Sequence, residues 1–313
     1  MSHAVVLVVT EEKPNNDILH DVLLPWHEYE STGYDAYTEE IDCTEEVLDE
    51  WNSENKHSGY KHADGSYSFH KKEDSDISVE LPLKMFYSDI ETMATDWFGF
   101  YTKKNEKDEV IGYFRKTNPN AKWDWWVVGG RWTGYFLPKQ DAKYFELGEA
   151  SLASSPALPN RADIIRKRDI DWETERANLT KEFSELYDKI CEIVGGRPVP
   201  DFEQLKEKFG LEKARDIFNS NPVIKELREA LGLFENINKT LKLSKEEFVA
   251  NRVMINTIPL SIVYDGVWYE RGRLGWFGMV DSEKEDEEWA KEFETIWNKI
   301  PDHYWITAVD YHI

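Results

Sequence analysis

Residues 118–136 read NPNAKWDWWVVGGRWTGYF and set Trp123, Trp125, Trp126 and Trp132 within ten residues, around Asp124, the pair Gly129–Gly130 and Arg131. Tryptophan hides a large apolar area but carries one N–H that needs an acceptor once buried. Such a block must either fill a dense corner of a core or line a binding wall. The aromatic and β-branched runs on both sides of the glycine pair predict strands over Trp123–Val128 and Trp132–Leu137 joined by a tight hairpin turn.

Charge restricts the range of partners. The chain of 313 residues carries 61 acidic and 38 basic side chains, a formal net charge of −23. Binding to a nucleic-acid backbone needs clustered Lys and Arg, so direct contact with nucleic acid is not expected. A strong negative field favours association with basic surfaces, which include the DNA-binding faces of other proteins. Residues 28–54 alone hold eleven acids and no Lys or Arg. Acidic runs are usually solvated faces, yet this one exceeds what solubility requires.

Cys43 and Cys191 are far apart and in no metal-ligand spacing, which fits a reduced, cytoplasmic-type compartment. The apolar run Ala4–Val9 is too short for a signal peptide or a membrane span and reads as a central strand covered on both faces. No membrane association is expected.

The remaining pattern is strand, helix, strand. Thr44-Glu-Glu followed by Val47, Leu48 and Trp51 predicts a capped helix, residues 52–76 a long exposed loop or hairpin, and Ser88–Trp97 a short helix. Residues 148–160 form a linker rich in small residues and proline. From Arg161 to about Val194 a single helix is expected, roughly 50 Å long at 1.5 Å per residue. Its apolar seam is Leu179, Phe183, Leu186, Ile190 and Ile193. Shorter helices follow at about 202–218, 222–233 and 244–251, with Asp201 as a cap and Ser244 with Glu247 as a capping box. Asp265-Gly266 predicts a two-residue hairpin between Leu260–Tyr264 and Val267–Tyr269. Glu287–Trp297 reads as an acidic amphipathic helix and Tyr304–Tyr311 as the last strand. The expected fold is therefore α+β: a mixed or antiparallel sheet body from residues 1–150 and 255–313, with a long-helix arm inserted over 160–254.

Several constellations are candidates for chemistry. Trp123, Asp124, Arg131 and Trp132 could form a pocket in which the arginine holds an anion and the indoles stack on a ring. Arg271, Arg273, Trp276 and Phe277 repeat that chemistry, so Arg273 belongs to the same candidate pocket. The burial cost of indoles favours the core reading over the pocket. Gly272, Gly275 and Gly278 resemble a phosphate loop but lack the following lysine. His57, His62 and His70 lie in a polar loop at irregular spacing, where solvated histidines are commoner than zinc ligands. If the first and last strands pair antiparallel, His3 falls beside His312 with Asp310 close by, most simply as a polar rim. No catalytic residues, cofactor or metal are expected.

The start MSHAVVLVV, then LLPWHEYESTG, the block NPNAKWDWWVVGGRWTGYF, RKRDIDW at residues 166–172 and the end ITAVDYHI together resemble a phage and prophage protein family. Its members typically begin MSHF, carry NPNAKWDWYxxGGRW and end VDCHI. Here Trp126 stands in place of the tyrosine and Tyr311 in place of the cysteine, so no role of that cysteine carries over. The domain plan is also similar to that of phage inhibitors of the Gabija anti-phage system.

That similarity implies a non-enzymatic homo-oligomer that binds a bacterial defence nuclease and blocks DNA binding or cleavage. The interaction surface would be acidic: Glu39, Glu40, Asp42, Glu45, Glu46, Asp49 and Glu50, with Glu285, Asp286 and Glu287. The 179–193 seam would serve self-association. The alternatives are an enzyme or sponge for a nucleotide-like ligand built on the Trp/Arg cluster, and a virion protein.

Overall fold

The computed structural model describes residues 2–151, 160–232, 237–274 and 280–313. The chain divides into two compact units, one of Met1–Val22 with Trp126–Ile313 and the other of Leu23–Trp125.

In the first unit the strands His3–Thr10 and Trp305–His312 pair antiparallel along their whole length, from His3 opposite His312 to Thr10 opposite Trp305. Both are buried almost throughout, as continuous apolar runs with both faces covered should be. His3–Thr10 also pairs parallel with Ser261–Tyr264, which turns back into Val267–Glu270. The turn residues Asp265 and Gly266 have φ of 52° and 69°, the left-handed pair that the Asp-Gly signal predicts. On its other side Trp305–His312 pairs antiparallel with Ile164–Arg166. Parallel and antiparallel ladders thus share one sheet, and the fold is α+β with mixed and antiparallel sheets. The helix Asp286–Lys299 lays Trp289, Phe293 and Ile296 over Val5, Leu7, Val9, Ile262, Ile306 and Ala308. Those helical positions recur at steps of four and three, the stripe of an amphipathic helix.

The long helix runs over Trp172–Val194, 23 residues or about 34 Å. It begins later than its sequence pattern predicts because the sheet captures Ile164–Arg166 and Asp171 then caps the helix through Thr174 N–H at 3.0 Å. Gly195, at φ 54°, ends it. The expected helix over 202–218 is broken at Gly210 into Phe202–Phe209 and Leu211–Ser220. Pro222–Leu231 and Lys245–Thr257 follow, the latter with both halves of the Ser244–Glu247 capping box. Buried Ile190, Val194, Phe218, Leu227 and Phe248 give this arm its own core. Most of the linker, residues 152–159, lies outside the described residues.

The second unit was not expected as a separate body. It has two three-stranded antiparallel sheets, one of 39–42, 101–104 and 110–117 and one of 56–61, 67–68 and 77–82. Helices Thr44–Asn52 and Ile90–Phe98 complete it. Cys43, Val47, Leu83, Met93, Ala94, Phe100 and Tyr113 form its core. Nothing in composition marks either boundary, because both fall inside apolar motifs. Among the described residues no helix is long and apolar enough to cross a membrane.

Candidate functional site

The expected acidic surface of the second unit is exposed, and it is organised by one helix. Thr44–Asn52 buries Val47 and turns Glu45, Glu46 and Asp49 outward. Thr44 is not its cap: Cys43 holds that position with no side-chain bond, while Asp42 Oδ1 accepts the Thr44 N–H at 2.9 Å. The Thr44 hydroxyl instead accepts the Tyr113 N–H at 3.0 Å and ties the helix to its sheet. Asp42, Glu45, Glu46, Asp49 and Glu50 line one cavity of about 750 Å3, with Arg115, Phe98 and Cys43 in its wall.

Some of these acids are internally satisfied. Glu40 is held by Lys103 and by the Tyr101 hydroxyl, which together lower its pKa, Lys103 first. The Thr44 contacts likewise hold Asp42 below the usual carboxylate range. Glu50 meets His57 at 2.9 Å. Glu39, Glu45, Glu46 and Asp49 make no ion pair among the described residues.

Helix electrostatics separate ordinary acids from unusual ones. Glu45 and Glu46 sit in a first turn, where the macrodipole welcomes them, and so do Asp286 and Glu287 on the other unit. Glu285 precedes that second helix, and Arg271 bridges Glu283 at 2.5 Å and Asp286 at 2.8 Å. Asp49 and Glu50 occupy the last turn of Thr44–Asn52, which has no basic residue. There they oppose the dipole and stand four residues from Glu45 and Glu46. At about 0.3–1 kcal/mol per dipole conflict and 0.2–0.5 per like-charge pair, two of each cost roughly 1–3 kcal/mol, offset in part at Glu50 by its His57 contact. Folding alone does not explain it.

The tryptophan block proves to be two structural devices rather than one hairpin. In the second unit Trp123 is 3% exposed and its indole N–H donates to Leu23 O at 2.8 Å. Glu28 N–H donates to Trp123 O, Lys122 N–H to Trp26 O, and the Asn118 amide to both Pro25 O and His27 O. The segments LLPWHEY and NPNAKWDW are therefore clamped to each other. His27, fully buried, bonds Thr32 Oγ1 and Ala36 O, both at 2.7 Å. Replacing Trp123 with phenylalanine is expected to cost about 1–3 kcal/mol, since Leu23 O stays buried without its donor. Urea unfolding of the variant measures it.

The strand Trp125–Gly130, part of the first unit from Trp126 onward, ends in Gly129 and Gly130, at φ 83° and 54°. The expected second strand over 132–137 does not form. The chain is instead pinned by two buried carboxylates: Asp310 accepts the Arg131 N–H at 2.8 Å, and Asp163 accepts those of Gly134 and Tyr135. A Cβ at Gly130 would overlap the Asp310 carboxylate. Gly130→Ala is expected to destabilise this unit by about 3 kcal/mol through overlap and left-handed strain together, read by thermal unfolding. Asp310 also bonds His3 Nδ1 at 2.8 Å, and the His3 and His312 rings meet edge to face at 4.8 Å. The strand-end cluster thus exists, as a buried support for the Arg131 loop.

Arg131 itself points to solvent, as does Arg273, while Trp132 packs on the body core. Trp123 and Asp124 belong to the other unit. Gly275, Trp276, Phe277 and Gly278 lie outside the described residues. His62 is no loop ligand: it is buried against Asp76 at 2.9 Å and bonds Ser68 Oγ. Among the described residues no group of His, Cys, Asp and Glu could hold a metal ion.

The seam of Leu179, Phe183, Leu186, Ile190 and Ile193 also changes its reading. Ile190 is buried, and Phe183, Leu186 and Ile193 pack with it on the arm's own core, alongside Leu227 and Phe248. Helices from the same chain therefore pack on much of the seam, while Leu179 lies outside that core. Asp163 and Arg115 were missed by sequence reading. A lone acid in an apolar run, as in Ala162-Asp163-Ile164-Ile165, is the signal that could have found the first.

Comparison of the chain with protein-family profiles, curated proteins and solved structures returned no match.

Proposed function

We propose that the chain acts by binding: it presents the acidic face of its second unit to a basic, DNA-handling surface of a bacterial defence nuclease and blocks DNA binding or cleavage. The observation that carries this reading is the helix Thr44–Asn52, which keeps Asp49 and Glu50 against its own dipole beside Glu45 and Glu46. Charges retained at a cost to folding are those expected where a partner offsets the cost. The net charge of −23 supports the same direction. The family and Gabija resemblance supplies the setting, a phage anti-defence protein acting in the host cytoplasm without catalysis or cofactor. Self-association is compatible with this role. The nucleotide-ligand alternative at the Trp/Arg block has less to build on, because Trp123 is buried with its N–H taken and both arginines are exposed.

The test is purification of the tagged chain from cells carrying a Gabija nuclease system, followed by DNA cleavage with the recovered complex. The expected result is a salt-sensitive complex with suppressed cleavage. Undiminished cleavage in the presence of excess chain would overturn the reading.

A further inference from the structure

The strands His3–Thr10, Ile164–Arg166 and Ser261–Tyr264 run in one direction, since the first two both pair antiparallel with Trp305–His312 and the third pairs parallel with the first. Their carboxyl ends therefore open at the same end of the sheet, the end where loops converge and ligands commonly sit. A cavity of about 540 Å3 lies there, lined by Glu11, Glu12, Lys13, Tyr144, Arg166, His303 and Trp305. That volume suits a small organic ligand.

Arg166 is the centre of this cavity. Its guanidinium carbon lies 5.1 Å from the Trp305 ring and 5.7 Å from the Tyr144 ring. Among the described residues no carboxylate pairs with it, although acids outnumber bases 61 to 38, and its Nε is buried without a hydrogen-bond partner. By contrast Arg161, Lys167 and Arg168, its neighbours in sequence, each meet a carboxylate. A guanidinium laid against rings keeps its in-plane N–H edge free, the geometry that takes an oxyanion in two parallel bonds. Lys13, 6.0 Å over the Trp305 ring, is ion-paired with Glu146, so Arg166 is the unpaired cation among the described lining residues. Tyr144 is 61% exposed and so offers an open aromatic face beside the cations. Glu11 and Glu12 at the rim would repel a polyphosphate but accept hydrogen bonds from hydroxyl or amino groups.

We propose that this cavity binds a nucleoside monophosphate, with the phosphoryl group on Arg166, the base on Tyr144 and its donor groups toward Glu11 and Glu12. The site is independent of the acidic face and of Arg131.

Titration of the purified full chain with nucleoside monophosphates, a nucleoside triphosphate, inorganic phosphate and adenosine, read by tryptophan emission and melting temperature, tests it. A saturable response is expected for a monophosphate, tighter than for the triphosphate, inorganic phosphate or adenosine. Arg166→Gln should weaken it about tenfold or more, the loss of charge-assisted bonds. Tyr144→Ala, an exposed change that leaves the fold intact, should weaken it about tenfold through lost stacking. Arg131→Gln should leave it unchanged. No saturable response to any phosphate up to millimolar concentration would overturn the proposal. So would unaltered binding by both Arg166→Gln and Tyr144→Ala, equal affinity for inorganic phosphate, or a loss confined to Arg131→Gln.

Discussion

Replacing Asp163 with alanine is expected to cost the first unit about 4 kcal/mol, roughly a quarter or more of the stability of an ordinary domain. The side chain is fully buried. Its Oδ1 accepts the N–H groups of Gly134 and Tyr135 at 2.8 and 3.0 Å, and its Oδ2 accepts the Gly148 N–H at 2.8 Å and the Thr133 hydroxyl at 3.1 Å. Alanine strands three backbone donors in a place that water reaches poorly. At about 1–3 kcal/mol each, less what local relaxation recovers, the sum is near the stated value. Asp163→Asn should cost less, about 2 kcal/mol, because one oxygen survives while the new amide faces the Gly148 N–H. Urea unfolding followed by near-UV circular dichroism measures both. A loss below about 1 kcal/mol for alanine would mean that the Gly129–Tyr135 loop holds its shape without the carboxylate.

Long periodic or doubly apolar segments were legible in the sequence. Ala4–Val9, the Asp265-Gly266 hairpin, the caps at Asp201 and Ser244, and the antiparallel meeting of His3 with His312 all rest on local signals that tertiary packing reinforces. The failures share a cause, competition from a distant partner. Ile164–Arg166 would suit a helix, but the last strand of the sheet takes them. Trp132–Leu137 has strand residues, yet Asp163 collects the N–H groups of Gly134 and Tyr135. The apolar seam at steps of three and four reads equally well as a dimer interface or as a cover for neighbouring helices. The packing of Phe183, Leu186 and Ile190 with Phe248 shows that much of it covers neighbouring helices. The acidic face was visible as a run of charges. Its significant part, Asp49 and Glu50 against the dipole, required knowing where the helix ends.

Lysine at Glu45, Glu46 and Asp49 together is expected to abolish association with the nuclease while leaving the chain folded. All three side chains are exposed and make no ion pair among the described residues. The stability effects nearly cancel: reversing Glu45 and Glu46 gives up favourable dipole contacts, and reversing Asp49 gains one. The net change should stay within about 1 kcal/mol. Association depends on charge differently, since three charges change sign, a shift of six units across one face that must meet a basic surface. A fall in affinity of at least about 100-fold is expected, mostly with a slower on-rate and a flatter salt dependence. Asp49→Lys alone separates the two effects, with equal or slightly higher stability and weaker binding. If the triple variant bound as tightly as the natural chain, blocking would be steric and placed elsewhere.

The efficiency of phage plating on bacteria that carry a Gabija nuclease system, with the chain or its Glu45/Glu46/Asp49→Lys variant expressed beforehand, tests the binding role most directly. Plating restored by the natural chain and not by the variant is the expected result. Plating that stays suppressed with the natural chain would contradict the anti-defence role, and equal restoration by the variant would contradict the acidic face as its means.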